Sequence, residues 1–565
     1  MRQPKIVIVG GVATGPKAAA RARRCCPDAE ITVIERGRLI SYGSCGLPLF
    51  LSGTLGGIDE LRRTPSGVLR DEEFFKAVKN VNVLTGTEAC RIDRDKKEVE
   101  VRELATGRQF KLPYDRLVLA TGAEPVKLPV PGNDLPGVYN LHHPEEAIAL
   151  KAWLEEKKVD QVAIIGAGLI GLEVADALAS PRRKVVLIEK EDQVLPSLLD
   201  KEMAELLLKR LRQRRVEVRL SAKVQAFQAG GGGELEKVLT AEGEVPARVA
   251  VVAAGVRPNV KLAEEAGLEI GRTGAIAVNA YLQTSDPEIY AGGDCVENYH
   301  LVSGKQVYAP MASTANKHGR VIGTNITGGK EKFPGVLGTT VLQAFEVNIG
   351  RTGLTEREAR ELGYDVVTAV VPSTDAAHYH PLHGAVVLKV VADARSGKLL
   401  GAQAVGSGEV VKRIDVLATA LGLGGKIDDM GYLDLGYAPV FATPLDVSLH
   451  AVNVLRNKRD GLVKGIAAGE LRARMAAGEA LTLLDVRSPG EFAARRFDDP
   501  RVLHIPLGNL RQRIGEIPRD REIVTICELG VRAYEAAIIL QGEGIQKVTI
   551  LDGGLEAWPF DLAIV

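Results

Sequence analysis

Cys45 lies in the stretch Ser41–Phe50, SYGSCGLPLF, with Gly46 and Pro48 behind it. Proline is tolerated in the first turn of a helix, so the spacing predicts Cys45 at a helix N-terminus. Free backbone N–H groups there favour an anion, and a cysteine so placed has a lowered pKa and attacks as thiolate. No second cysteine stands at Cys-X-X-Cys spacing, so its redox partner must be a sulfur brought in by a substrate. The plainer alternative is a small buried residue in a turn.

Such a cysteine needs elements that hold it and reducing equivalents that reset it. Lys5 to Val9 reads as a buried strand running into GGVATG, then an Ala- and Arg-rich helix, then a strand Glu30 to Ile34 ending on Glu35. This is the pattern of a dinucleotide-binding unit: glycines for the tight turn, pyrophosphate on the helix N-terminus, and an acid about 20 residues on for the ribose hydroxyls. Val12 departs from the pattern where a second glycine is usual. The pattern returns without departure after the strand Gln161 to Ile165, with Gly166, Gly168 and Gly171 in GAGLIGLE and a strand Lys184 to Ile188 ending on Glu189. Two units imply two dinucleotides on one chain. Glu189 accepts from a 2′-hydroxyl and repels a 2′-phosphate, which favours NADH over NADPH, although Lys190 beside it softens that repulsion.

Composition narrows the field. The chain has 565 residues, enough for several domains, with 72 basic against 72 acidic side chains. That balance argues against nucleic acid or an anionic membrane as partner. Six cysteines (Cys25, Cys26, Cys45, Cys90, Cys295, Cys527) show neither disulfide density nor metal-ligand spacing, which fits a reducing compartment and no metal. No signal-peptide pattern opens the chain and no apolar run approaches a membrane span, so the expectation is a cytoplasmic protein.

LVLATGA (Leu117 to Ala123), VVAAGVRPN (Val251 to Asn259) and YAGGDC (Tyr290 to Cys295) follow in order. With the two glycine motifs, these residues resemble the two-dinucleotide flavoprotein disulfide reductases over roughly Lys5 to Asn457. The resemblance implies FAD in the first unit, on Gly10, Gly11, Val12, Ala13 and Gly15, with Glu35, Arg36, Thr121 and Gly122. Asp294 would meet the flavin's ribityl chain. It implies a nicotinamide cofactor in the second unit, on Gly166, Gly168, Ile170 and Gly171, with Glu189 and Gly255, and Glu173 next to nicotinamide and flavin. From about Phe333 the alternating strands TAVVPS, AVVLKVV and KLLGAQAVG, then a helix Val411 to Leu421, look like that family's dimerisation domain, hence a homodimer.

The His–Glu pair of glutathione-type reductases is missing. AAHYHPLHGA around Tyr379 and DLGYAPVF around Tyr437, with SYGSCGLP, resemble instead the CoA-disulfide and persulfide reductase branch. There one cysteine works against CoA and two tyrosines from the other subunit face it; Tyr379 and Tyr437 match them. His380 stands where a second tyrosine is common, and Ser44 where asparagine is. The resemblance also implies CoA near Lys17, Arg21, Arg24, Ser41 and Ser44, the alternative for the arginines being a solvated basic face.

LTLLDVRSPGEF, the strand EIVTI, CELGVR (Cys527 to Arg532) and ILDGGLEAW resemble a rhodanese domain over the last hundred or so residues. A six-residue loop from cysteine to helix would curl its N–H groups around the sulfur, a nest for a thiolate or persulfide anion, with Arg532 adding positive charge.

The expected fold is α/β. An FAD-binding domain covers 1–115 and 255–325, an NAD-binding domain 116–254, and an α+β dimerisation domain 326–450. A linker at 451–465, read as a helix and connector able to tether flexibly, precedes the rhodanese domain at 466–565. The expected activity is NADH-dependent reduction of sulfur–sulfur bonds in CoA persulfide, CoA disulfide or polysulfide. The alternatives are an NADH oxidase or peroxidase with a sulfenic acid at Cys45, and a sulfur carrier with a regulatory flavin module.

Overall fold

A computed structural model describes residues 3–214 and 216–564. The chain divides into two compact units, residues 1–188 with 222–336 and residues 189–221 with 337–565.

The first unit is built on two parallel sheets. In one, Lys5–Val9 lies between Glu30–Ile34 and Arg116–Leu119, flanked by Asn82–Leu84 and Ile289–Ala291. These strands are near-continuous Val, Ile and Leu because helices cover both faces of such a sheet. Arg116–Leu119 therefore belongs with the first glycine turn, and the expected boundary at 115/116 moves beyond it. The register Ile6↔Arg116 to Val9↔Leu119 requires this. In the other sheet Gln161–Ile165 lies between Lys184–Ile188 and Val249–Val252, with Val138–Asn140 beyond. A short antiparallel pair, Ala123–Pro125 with Val256–Pro258, joins the two modules where the chain crosses between them.

The second unit holds a five-stranded antiparallel sheet, Thr340–Ala344, Val347–Gly353, Leu399–Gly406, Ala385–Asp393 and Val366–Thr374. It also holds a five-stranded parallel sheet with central strands Glu522–Ile526 and Leu481–Asp485. Lys389 on the antiparallel sheet is 1% exposed and bonds Glu202, Glu356 at 2.7 Å and Asp200 at 3.0 Å. Burial opposes its charge, yet Glu202, Asp200 and Glu356 together hold its pKa above the usual lysine value.

The stretch expected as a helix and linker is helix as far as Arg459, and the helix starts earlier, at Val447. Val447–Arg459 buries Val447, Ala451, Val452 and Leu455, a stripe with helical spacing, and packs along Val366–Thr374. Lys458 at its end donates to Thr368 O at 2.8 Å and pairs with Asp552 at 2.7 Å, both side chains 9% exposed. Lys209 donates to Trp558 O at 3.1 Å. Only Asp460–Lys464 separates the helix from the first strand of the parallel sheet at Gly465. The C-terminal domain is thus docked by buried polar contacts, and the random-coil reach expected of a tether does not apply. Among the described residues no helix is long and apolar enough to cross a membrane.

Candidate active site

Both glycine turns form as the sequence implies. Gly10 has φ +113°, and a Cβ there would lie 2.0 Å from Ala120 O; a Cβ on Gly15 would lie 1.9 Å from Gly10 O. These contacts let the strand, the turn and the helix Thr14–Cys25 close tightly, and only glycine fits. Val12 is not among the positive-φ residues, so the departure costs the turn nothing. Glu35 sits just past its strand, with Oε2 accepting from Gly11 N at 2.6 Å and Oε1 from Gly37 N at 2.7 Å. The second turn repeats the geometry: Gly166 at φ +106° lies against Ala253 O, and Gly171 against Gly166 O. Gly168 caps the helix Leu169–Leu178, and a Cβ there would meet nothing within 4 Å. That is the open backbone approach a pyrophosphate needs. Glu189 is buried and accepts from Glu191 N at 3.0 Å.

The connecting segments lock onto these turns. Thr121 donates to Asn259 O at 2.7 Å and Asn259 returns a bond to Thr121 O at 3.0 Å, pinning Gly122 at φ +67°. Gly293 at φ +86° lies against Thr14, where a Cβ would fall 2.6 Å from its hydroxyl. Asp294 follows, its pKa pushed up to about 6 by burial. Desolvated and beside the first turn, it fits a role as acceptor for cofactor hydroxyls, and the two turns with their acids fit two dinucleotides.

Cys45 lies in a short 3-10 turn, Ser44–Gly46, ahead of the five-residue helix Leu47–Leu51, with Pro48 in its first turn. Its side chain is exposed. The expected lowering of its pKa is not what this environment gives. Partial desolvation by the protein around the loop raises it, Glu173 and then Asp294 raise it further, and the local backbone and Ser44 oppose them. A helix of one turn carries too little dipole to win. The short helix packs on Leu169–Leu178, which carries Glu173, itself raised by burial. Cys45 therefore feels a carboxylate from each dinucleotide unit.

Among the expected CoA contacts, Arg24 and Lys17 are exposed, while Arg21 donates to Thr324 at 3.0 Å. Ser41 is buried, with φ +52° and its N–H on Gly11 O at 2.8 Å, so it braces the first glycine turn. Arg36 and Ile170 are exposed, and Gly255 takes φ +98°.

Tyr379 and Tyr437 are brought together although distant in sequence. Tyr437's pKa is raised by desolvation, then by the charge and hydrogen bond of Tyr379. Both are largely exposed, at 66% and 50%. Ala377 N bonds Pro439 O at 2.9 Å, tying the two loops. Beneath them Arg413, 1% exposed, holds Asp375 O at 2.8 Å and Asp446 at 2.9 Å. Sequence reasoning missed Arg413: apart from Glu409 four residues before it, its partners Asp375 and Asp446 lie tens of residues away with no motif to announce them.

Cys527 is 1% exposed. The helix begins at Val531, so the loop is shorter than the six residues expected, and it is Gly530 N, 3.1 Å from Sγ, that donates to the sulfur. Gly530 adopts φ +101° to turn that N–H inward. The Gly553–Gly554 ending braces the loop from behind: Leu555 N bonds Cys527 O and Glu556 N bonds Glu528 O, both at 3.0 Å. Arg532 is clasped by Glu491 at 2.6 and 2.8 Å, so its charge is shared rather than free for the sulfur.

Comparison with known proteins agrees with this layout. Residues 4–319 match the family described as pyridine nucleotide-disulphide oxidoreductase, 341–446 its dimerisation domain, and 467–559 the rhodanese-like domain. A solved NAD-dependent persulfide reductase from A. fulgidus is 46% identical with a TM-score of 0.93, over 98% of this chain and 100% of that one. A Bacillus anthracis protein titled CoADR-RHD is 32% identical with a TM-score of 0.92, over 99% and 98%. A Pyrococcus furiosus protein named NAD(P)H sulfur oxidoreductase (CoA-dependent) is 38% identical over 81% of this chain and 100% of its own.

Proposed function

The chain belongs to the pyridine nucleotide-disulphide oxidoreductase family, an oxidoreductase that uses FAD and a nicotinamide nucleotide and carries a C-terminal rhodanese-like domain, and from that premise we propose that it reduces sulfur–sulfur bonds of CoA persulfide, CoA disulfide or polysulfide at Cys45 as a homodimer. The observation that carries this reading is the position of Cys45. It has no second cysteine in its loop, yet it lies within electrostatic reach of Glu173 from one dinucleotide unit and Asp294 from the other. A thiol so placed suits the passage of electrons between a bound cofactor and an incoming sulfur.

The Cys45 thiolate attacks the sulfane sulfur of CoA persulfide, the bond to CoA's own sulfur breaks, and CoA leaves as its thiolate. Two electrons then return Cys45 to thiolate and release sulfide. The sum is NADH, a proton and CoA persulfide giving NAD⁺, CoA thiol and hydrogen sulfide. FAD, when bound on the first glycine turn with Glu35 and Asp294, supplies the two-electron step between nicotinamide and thiol. Tyr379 and Tyr437 from the partner subunit protonate or stabilise the leaving sulfur, a role typically worth ~10²–10⁴-fold. Glu189 selects NADH. Arg24 and Lys17, on the exposed face of the first helix, suit the CoA phosphates; an arginine fork binds phosphate in two bonds. The rhodanese domain supplies sulfane sulfur from Cys527.

The test is steady-state oxidation of NADH and NADPH across CoA persulfide, CoA disulfide, glutathione persulfide, polysulfide and peroxide. The CoA sulfur substrates with NADH should give the highest kcat/KM. Cys45→Ser should keep FAD and lose at least about 10³-fold with every sulfur substrate, as loss of a nucleophile does. Peroxide turning over as well as persulfide would put a sulfenic acid cycle in its place.

A further inference from the structure

The Cys527 loop opens among charges that nearly cancel. Glu528, the residue after the cysteine, faces Arg487 at 3.3 Å and also bonds Arg495. Arg487 is fully buried against Asp485 at 2.8 Å, and Arg495 holds Glu556 at 3.1 Å. Arg532, the cation within CELGVR, is occupied by both oxygens of Glu491. It lies within electrostatic reach of Glu491, Cys527 and Asp485 together. Within this ion-pair network three arginines (Arg487, Arg495, Arg532) meet four carboxylates (Asp485, Glu491, Glu528, Glu556), one negative charge in excess before any thiolate forms, while Lys209, in electrostatic reach of Arg495 and Glu556, lies outside the network beside Asp561 and Arg210. Arg496, next along the strand, lies over the Phe492 ring at 5.2 Å; successive strand residues face opposite ways. The loop's outward side chains are apolar, Leu529 at 46% and Val531 at 63% exposure.

We infer that the Cys527 site takes sulfane sulfur from donors whose reacting end carries a single negative charge on an apolar arm, a persulfide or thiosulfonate monoanion, and discriminates against the dianion thiosulfate. This rests on Cys527 being an active sulfurtransferase cysteine. In the step, the Cys527 thiolate attacks the terminal sulfane sulfur, and the bond from that sulfur to the donor breaks. The donor leaves with the electron pair as thiolate, sulfinate or, from thiosulfate, sulfite. Cys527 then carries a persulfide anion, and no electron is gained or lost overall. A second negative charge on the donor must approach an already negative rim with no unshared guanidinium in the loop to receive it. At protein-surface dielectric one such charge changes an encounter by roughly tenfold at low salt and less as salt screens it.

The experiment uses the full-length flavoprotein without nicotinamide, with cyanide as acceptor and thiocyanate as readout. The donors are thiosulfate and methanethiosulfonate, which differ by one charge. At low salt kcat/KM for methanethiosulfonate should exceed that for thiosulfate by ~10-fold or more, and added salt should narrow the gap. Glu528→Gln should reduce the ratio several-fold. Glu556→Gln, which leaves Arg487 and its partners in place, should do so more mildly and guards against a folding defect in the first variant. Thiosulfate matching the monoanion, or a ratio unmoved by both substitutions, overturns the inference. Thiocyanate from neither donor overturns the sulfurtransferase reading itself, and this inference with it.

Discussion

Cys45 and Cys527 are two sulfur sites on one chain, supported in opposite ways. Cys527 is buried, and its surroundings are self-sufficient: a backbone N–H on the sulfur, a loop braced by two further N–H bonds, and an arginine held in place by Glu491. Cys45 is exposed, its turn is short, and partial desolvation with two carboxylates holds its thiol above the ordinary value. On the proposed reading, Cys527 only stores sulfur as a persulfide anion and its site is finished within one loop. On the same reading Cys45 must change oxidation state, so it is placed among groups that would serve its cofactors, and its proton handling would come from elsewhere.

The largest test of that contrast is the tyrosine pair. If proton handling for Cys45 is supplied by Tyr379 and Tyr437, replacing both by phenylalanine should lower kcat/KM for CoA persulfide by ~10²–10⁴-fold. Cyanide-coupled sulfur transfer at Cys527 should keep its rate. Mixing a Cys45→Ser subunit with the Tyr379→Phe/Tyr437→Phe subunit should restore activity, because one complete site forms per heterodimer. No recovery in a confirmed heterodimer would place the tyrosines on the same chain as the cysteine they serve or outside the chemistry.

A smaller effect is expected from the other cysteine. Cys527→Ser should leave reduction of preformed CoA persulfide nearly intact. It should slow reduction of polysulfide or elemental sulfur by roughly tenfold when catalytic CoA is the carrier, since local delivery by a joined domain raises effective concentration. Lys458 and Asp552 hold the C-terminal domain within its own unit, so the expected carrier is CoA and not a swinging tether. Equal losses with preformed CoA persulfide would make Cys527 part of the reductive step and dissolve the division between the sites.

The sequence made the dinucleotide turns legible because their physics is local: Gly10, Gly15, Gly166 and Gly171 are dictated by contacts with neighbouring backbone. The C-terminal loop was legible for the same reason. The pKa of Cys45 was not, because Glu173 and Asp294 reach it only through the fold. Arg413 and the Lys389 cluster were invisible, being assembled from distant segments. The helix in the connector was legible but its docking was not, because Lys458 meets Asp552 only through the fold.

The finest test concerns the carboxylates around Cys45. After burial, Glu173 is the larger of the two charges that raise the thiol. Thiolate is the form that alkylates, so alkylation of Cys45 rises with pH through the thiol's pKa. Glu173→Gln removes a negative charge, which stabilises the thiolate and lowers that pKa. The pH profile of iodoacetamide reaction at Cys45 should move to lower pH, with a few-fold faster rate at a fixed pH on the rising limb. Because burial raises Glu173's own pKa, the difference between variant and wild type should shrink as the medium becomes acidic and Glu173 loses its charge. The same substitution should leave the rate of sulfur transfer at Cys527 unmoved, since its loop carries its own charges. An unchanged Cys45 profile would mean that desolvation alone governs the thiol, and that the carboxylates serve the cofactors without tuning the sulfur. A change in the rate of sulfur transfer at Cys527 as well would show that the two sites are coupled, against the separation argued from their surroundings.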